Sequence, residues 1–195
     1  MKVVAITTSQ RPTRRTRSLC RDLECAIPEA VYVQRGTKNL RDTVLEALEN
    51  DAETLLYISE AKGNPARITV IDISEIPPRE RLYFSLGGVK LQREFSHHDA
   101  KRINVEGTLA ITTSKRPVSG HVKVAEALSD LLGVEFVPRT GSLEDVLDEA
   151  FADALLVIES HPTHLGTITF YRGSEKVGPS IFYRRFEIRD RKFEI

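Results

Sequence analysis

The sequence is poor in the groups that most catalytic and cofactor sites require. Cys20 and Cys25 are its only cysteines, and no CxxC spacing is present, so a cysteine zinc site is excluded. Five residues apart on a helix, the two thiols fall on different faces and cannot bridge each other locally. They read as small buried residues. No GxxxxGK[ST] phosphate loop and no GxGxxG turn occurs anywhere. His161-Pro-Thr-His164 resembles a metal pair, but Pro162 opposes the helical geometry that would bring the two rings together. His97-His98-Asp99 has no counterpart elsewhere, and no Ser-His-Asp or Cys-His set is suggested by spacing. The expectation is a protein without catalysis, metal or cofactor. No apolar run approaches the roughly 20 residues of a membrane-spanning helix. The N-terminus enters a strand pattern with no signal peptide, so the chain reads as soluble and cytoplasmic.

Acidic residues are also missing from the start of the chain. None precedes Asp22, whereas Lys2, Arg11, Arg14, Arg15, Arg17 and Arg21 all lie in or before that stretch. Glu144, Asp145, Asp148, Glu149 and Asp153 crowd a later segment. The 28 basic and 28 acidic residues cancel to a formal net charge of zero, which conceals a basic pole suited to an anionic surface.

What is present is a repeat. Ala5-Ile-Thr-Thr-Ser-Gln-Arg-Pro12 returns as Ala110-Ile-Thr-Thr-Ser-Lys-Arg-Pro117, with Gln10 against Lys115 as the one change. Leu55-Leu-Tyr-Ile58 matches Leu155-Leu-Val-Ile158, and Arg67-Ile-Thr-Val70 matches Thr167-Ile-Thr-Phe170. Self-similarity of this kind signals repeated structural units. The expectation is an α/β fold of two tandem similar half-domains, residues 1–95 and 106–195, with a linker at 96–105.

Each half reads as strand, helix, strand, helix, strand, strand, which implies a mixed sheet with crossover helices. In the first half the strands are 3–7, 30–34, 53–59 and 67–72, and the helices run over about 13–27 and after Asn39. Leu19, Leu23, Ala26 and Ile27 form one stripe of the first helix, with Arg14, Arg17 and Arg21 opposite. Strands at 81–86 and 89–95 flank Gly87-Gly88. In the second half the helices are 119–132, closed by Gly133, and one capped by Ser142 with Asp145. The strands there are 108–112, 135–138, 154–159, 166–171 and 181–188, the last holding Arg184-Arg185.

The strand–TTS–basic–Pro–helix junction carries the functional expectation. A helix N-terminus offers free amide groups and a positive dipole end, and Thr7, Thr8, Ser9, Arg11 and Arg14 add hydroxyls and charge. This predicts a phosphate seat. In the second copy Lys115 and Arg116 persist while the arginine run is gone. Arginine outnumbers lysine about two to one, and its planar fork suits phosphates and bases. With Lys38, Arg41, Lys62 and Arg67 it forms the footprint of a nucleic-acid binder. Tyr32, Tyr57 and Tyr83 are either base-stacking groups or sheet packing.

Three blocks resemble the Brix-domain family: Ile6 to Leu23, Val33-Gln-Arg-Gly-Thr-Lys-Asn-Leu40, and Lys62-Gly-Asn-Pro-Ala-Arg67. The resemblance spans the chain and is greatest to the bare archaeal form and to the small-subunit processome branch. It implies ribosome biogenesis and ribosomal RNA processing by RNA binding without catalysis. Its implied partners are ribosomal RNA or its precursor, guide RNA and ribosomal proteins. It also implies a cytoplasmic setting, nucleolar in eukaryotic relatives, and two halves similar to the anticodon-binding domain of class IIa aminoacyl-tRNA synthetases. By position, the RNA-facing residues it implies are Arg11, Arg14, Arg15, Arg17, Arg21, Arg35, Lys38, Lys62, Asn64 and Arg67. The junction reading adds Thr8, Ser9, Lys115 and Arg116. The competing expectation is a protein scaffold whose acidic segment from Glu144 to Asp153 docks a basic ribosomal protein.

Overall fold

A computed structural model describes residues 1–95 and 102–194. The expected linker at 96–105 therefore lies largely outside the described residues. The elements run β1 (Val3–Thr8), α1 (Arg14–Ala26), β2 (Ala30–Tyr32), α2 (Leu40–Glu49), β3 (Ala52–Ala61), β4 (Asn64–Asp72), β5 (Arg79–Lys90), β6 (Leu109–Thr113), α3 (Ser119–Leu132), β7 (Glu135–Phe136), α4 (Leu143–Ala150), β8 (Ala154–Glu159), β9 (Gly166–Arg172) and β10 (Glu175–Lys192).

All ten strands of the described residues form one sheet in the order β2-β1-β3-β4-β5-β10-β9-β8-β6-β7. Two separate sheets were expected. The antiparallel pairing of β5 with β10, from Lys90↔Ser180 to Arg79↔Lys192, joins them instead. From either edge inward the order is the same: a short strand and the third strand flank the first in parallel, and antiparallel strands follow. Parallel neighbours require crossovers, which α1 to α4 supply. The two exposed edges are β2, with three residues, and β7, with two, and such short edges resist further strand pairing.

The strand sequences explain the layering. β1 is buried on both faces, so it reads as an unbroken apolar run. Val4 and Ile6 face a core shared by Leu19 and Leu23 of α1 and by Val124, Leu128 and Leu132 of α3. Ala5 faces the opposite side, where Val44 and Ala47 of α2 pack with Leu55 and Ile71. At the other end Ala110, Leu155 and Val157 meet Val146 of α4. Thus α1 and α3 lie together over one face of the whole sheet, while α2 and α4 cover the two ends of the other.

Local signals set most boundaries. The Thr13 side chain caps α1, Asn39 caps α2, and Ser142 with Asp145 makes a reciprocal capping box on α4. Gly133 closes α3 in the left-handed region at φ 63°. Lys62 and Gly63, at φ 51° and 75°, make the tight hairpin between β3 and β4.

Two expectations are corrected. The strands at 81–86 and 89–95 are one strand, β5, which runs through Gly87-Gly88 and gives way to a 3₁₀ turn at Gln92–Glu94. A Cβ at Gly87 would lie 2.0 Å from the ring of His164, so a larger residue there would force that ring to move. The final strand is 18 residues long rather than the eight of 181–188, since it pairs with β5 and β9 at once. Register shifts between Phe182 and Arg185 bend it past the sheet centre.

Asp22 lies on α1 among exposed arginines. It turns inward at 3% exposure, accepting from the Gln92 amide (2.9 Å) and from Arg102 Nε (2.8 Å). Burial pushes its carboxyl up, and those two bonds hold it down in part. Val105 N donates to Cys25 O at 2.8 Å, so α1 also anchors the chain that enters β6. Cys20 is buried and Cys25 half-buried, both free, and burial raises the Cys20 thiol strongly.

Candidate nucleic-acid interface

The motif at the end of β1 makes a defined turn. Thr7 Oγ1 donates to Val33 O at 2.9 Å and the Ser9 amide to Ile58 O at 2.9 Å, tying β1 to both parallel neighbours. The β6 motif repeats these bonds: Thr112 Oγ1 donates to Val137 O at 2.6 Å and the Ser114 amide to Ile158 O at 3.1 Å. Half of each motif is therefore sheet chemistry. Thr8 is fully buried, Ser9 is half-buried, and Arg11 is exposed with φ 53°.

The expected phosphate seat at the α1 N-terminus is already filled by the chain itself. Glu60, at the end of β3, accepts from the Thr13 amide at 2.8 Å and from Thr13 Oγ1 at 2.7 Å. Burial pushes this carboxyl up, but hydrogen bonds from Thr16 and Thr13 and the charge of Arg17 outweigh it, and Glu60 sits below its ordinary 4.5. An internal anion thus satisfies the amide and dipole that a phosphate would meet. At α3 the N-cap is Val118, which makes no side-chain cap bond.

The cations divide by what holds them. Arg15 grips Glu94 through two bonds (2.6 and 3.0 Å) and donates to Val89 O at 2.8 Å, so it braces α1 against β5. The Glu94 carboxyl is drawn below 4.5 chiefly by that hydrogen bond. Arg21 pairs with Glu24 at 2.7 Å and lies 4.7 Å over the Tyr32 ring. Lys38 pairs with Glu46. Arg35 donates to Lys38 O and to Tyr57 Oη, each at 3.3 Å. Arg17 donates only to Pro12 O, at 3.0 Å. Arg11, Arg14, Lys62, Arg67, Lys115 and Arg116 are exposed and make no ion pair among the described residues.

Position gathers most of these groups at one end of the sheet. Arg11, Arg17 and Arg35 line a cleft with Thr8 and Tyr32. On the other side of α1, Arg15 and Asn64 line a second cleft against the bare backbone of Gly87 and Gly88. Arg67 stands on the open sheet face, in register with Ser59 and Ser85. Arg14, Arg17 and Arg21 occupy the exposed side of α1, as the helical period predicts. Lys115 and Arg116 lie at the end of β6, away from this group in the strand order. The three tyrosines each carry an arginine on one ring face: Arg21 on Tyr32, Arg35 on Tyr57 and Arg189 on Tyr83. Sequence reasoning missed Glu60, Glu94 and Asp22, which reach this region from far along the chain and carry no local motif.

No helix of the described residues is long and apolar enough to cross a membrane. Among the described residues no group of three or more His, Cys, Asp or Glu is placed to hold a metal ion.

No protein-family model matches the chain. It is 70% identical, over the full length of both chains, to a probable Brix domain-containing ribosomal biogenesis protein of Methanopyrus kandleri. A protein of the same description from Thermococcus kodakarensis is 37% identical, covering 96% of this chain and 92% of the other. The crystal structure of a probable ribosomal biogenesis protein from Aeropyrum pernix superposes with a TM-score of 0.74 at 26% identity, covering 95% and 97%. Mil, an archaeal Imp4-like protein, shares the fold at a TM-score of 0.66 and 23% identity, covering 95% and 99%. The motif shared by β1 and β6, the mixed sheet and these relatives agree: the chain belongs to the Brix domain-containing ribosomal biogenesis proteins.

Proposed function

We propose that this protein is a non-catalytic factor that binds ribosomal RNA or its precursor and acts in ribosomal RNA processing and subunit assembly. The supporting observation is the cluster of exposed cations at one end of the sheet, Arg11, Arg14, Arg17, Lys62 and Arg67, left without carboxylate partners among the described residues. Unneutralised guanidinium groups suit a polyphosphate backbone, because binding it releases condensed counterions. The names of the relatives support ribosome biogenesis. The site works in the cytoplasm, with guide RNA and ribosomal proteins as further partners. The palindromic strand order supports reading residues 1–95 and 106–195 as copies of one unit similar to the anticodon-binding domain of class IIa aminoacyl-tRNA synthetases. The test is a salt titration of binding to ribosomal RNA. A steep fall of affinity with salt is expected, and no binding at low salt overturns the reading.

One observation favours a protein-docking scaffold. Phe151 is 89% exposed at the end of α4, a helix whose Glu144, Asp148 and Glu149 are also exposed. A basic ribosomal protein fits such a surface. Stable co-purification lost in Phe151→Ala, with no RNA bound by the protein alone, decides for the scaffold.

A further inference from the structure

The cleft at the end of β1 has a volume of about 260 Å³, is open on one side, and is lined by residues that include Arg11, Arg17, Arg35, Thr8 and Tyr32. It contains two hydroxyls that face each other. Thr8 is 0% exposed, and neither its Oγ1 nor the shielded hydroxyl of Tyr32 makes a well-formed hydrogen bond among the described residues; each has only the other within reach. The neighbours are all engaged: Thr7 Oγ1 on Val33 O, the Ser9 amide on Ile58 O, and the Tyr32 amide on Glu24. An unpaired buried hydroxyl destabilises the fold, and each one needs a reason. Valine and phenylalanine would fill the same space without that cost.

The arrangement opposite removes both groups' purpose. Phe136 takes the place of Tyr32 in register, pairing with Ile111 as Tyr32 pairs with Ile6. Thr113 Oγ1 finds an acceptor in Ser114 O at 3.3 Å. Val122 stands where the repeat places Arg17. This hydroxyl pair accompanies the guanidinium groups; the second junction leaves a different pair unpartnered, His121 Nδ1 and Tyr183 Oη.

We propose that this cleft takes one unstacked nucleotide of single-stranded RNA, with its phosphate on Arg11, Arg17 and Arg35 and its base edge on Thr8 Oγ1 and Tyr32 Oη. The assignment rests on the RNA-binding reading above. The volume lies below the roughly 300–1,000 Å³ of sites that enclose a whole drug-sized ligand, and a duplex cannot enter. Sequence-specific RNA recognition reads unstacked bases by hydrogen bonds to their edges. Arg11 and Arg17 are exposed side chains, and contact of a base with the two hydroxyls requires them to move aside. Tyr32 contributes its hydroxyl rather than a stacking face, because Arg21 covers the ring.

The experiment compares the full chain with Thr8→Val, Tyr32→Phe and the double variant, in binding to two RNAs of equal phosphate number. One is a hairpin with a single-stranded loop, the other a blunt duplex. The double variant is expected to lose about tenfold on the loop RNA, the effect of one or two hydrogen bonds. Duplex binding and the salt slope stay as in the wild type, and the melting temperature does not fall. Unchanged loop affinity, or equal loss on both RNAs, overturns the cleft and leaves RNA binding by the protein standing. A fall in melting temperature also overturns it, since the hydroxyls then serve the fold. Failure of the wild type to bind either RNA removes both readings.

Discussion

The β1–α1 and β6–α3 junctions share seven of eight motif positions, yet they finish the following helix differently. At α1 Thr13 caps the helix and Glu60 occupies its N-terminus. At α3 Val118 gives no cap bond and no side chain seals the end among the described residues. One helical turn later the fully buried Thr16 of α1 is matched by the fully buried His121 of α3. The first junction therefore offers anions its guanidinium side chains and not its helix end. The second offers an unsealed helix end with Lys115 and Arg116 beside it. Shared sequence preserves the turn that ties a strand to its two neighbours. It does not preserve the electrostatics, which side chains from elsewhere decide.

The largest expected effect concerns whether the two ends of the sheet are separable at all. Leu19 of α1 and Leu132 of α3 belong to one core. Leu19→Ala and Leu132→Ala should each cost about 2–5 kcal/mol and shift one cooperative unfolding transition, as read by calorimetry. Two transitions, with only one moved by each variant, would mean that the ends fold independently.

Next in size is the contrast in RNA affinity. Arg14→Ala/Arg17→Ala/Arg21→Ala is expected to weaken RNA binding far more than Lys115→Ala/Arg116→Ala/Lys123→Ala. Each free cation removed lowers the salt slope by roughly one, and Arg21 contributes less because Glu24 already holds it. Affinity measured against salt checks this, with melting temperature as control. Equal losses would mean that both junctions grip RNA alike.

A smaller effect sharpens the comparison at the helix ends. Thr13→Ala should cost about 1 kcal/mol as a lost N-cap, whereas Val118→Thr should gain stability by capping α3. Glu60 is held below its ordinary value of 4.5, so its stabilisation is present above that pH and is lost as pH falls through the folded value. Glu60→Gln should lower the melting temperature at neutral pH and flatten that part of the acid slope. It should also strengthen phosphate binding by removing the negative charge at the start of α1. Unchanged acid unfolding in Glu60→Gln would remove Glu60 from this role.

The smallest effect is a pH dependence confined to the second junction. Burial pushes the His121 imidazole below its ordinary 6.5, and its bond to Leu165 O opposes this only in part. A base with a depressed folded value favours the neutral form, so stability is full above 6.5 and declines as pH falls below it. His121→Thr, which copies the residue of α1, should abolish the slope between pH 6.5 and 5 in a melting series. An identical slope in that variant would place the titration elsewhere.

The sequence by itself determined what short-range contacts govern. The apolar period of α1 placed Leu19 and Leu23 inward and Arg14, Arg17 and Arg21 outward, and the helix faces so. Asn39, Ser142 and Gly133 announced their caps because capping bonds span only three or four residues. The order of strands and helices followed for the same reason. The tertiary structure alone decided the rest. Gly87-Gly88 looks like a turn, but β5 continues through it with a register shift that skips Gly87, because its pairing with β10 holds the strand on both sides. The two ends form one sheet because pairing β5 with β10 lets α1 and α3 bury their apolar faces in a common core. Glu60 reaches the start of α1 from 47 residues away, and Glu94 reaches Arg15 from 79. Asp22 turns inward on a helix otherwise rich in exposed arginine. Periodicity and caps record interactions between near neighbours, whereas which carboxylate meets which cation depends on strands brought together only by the closed sheet.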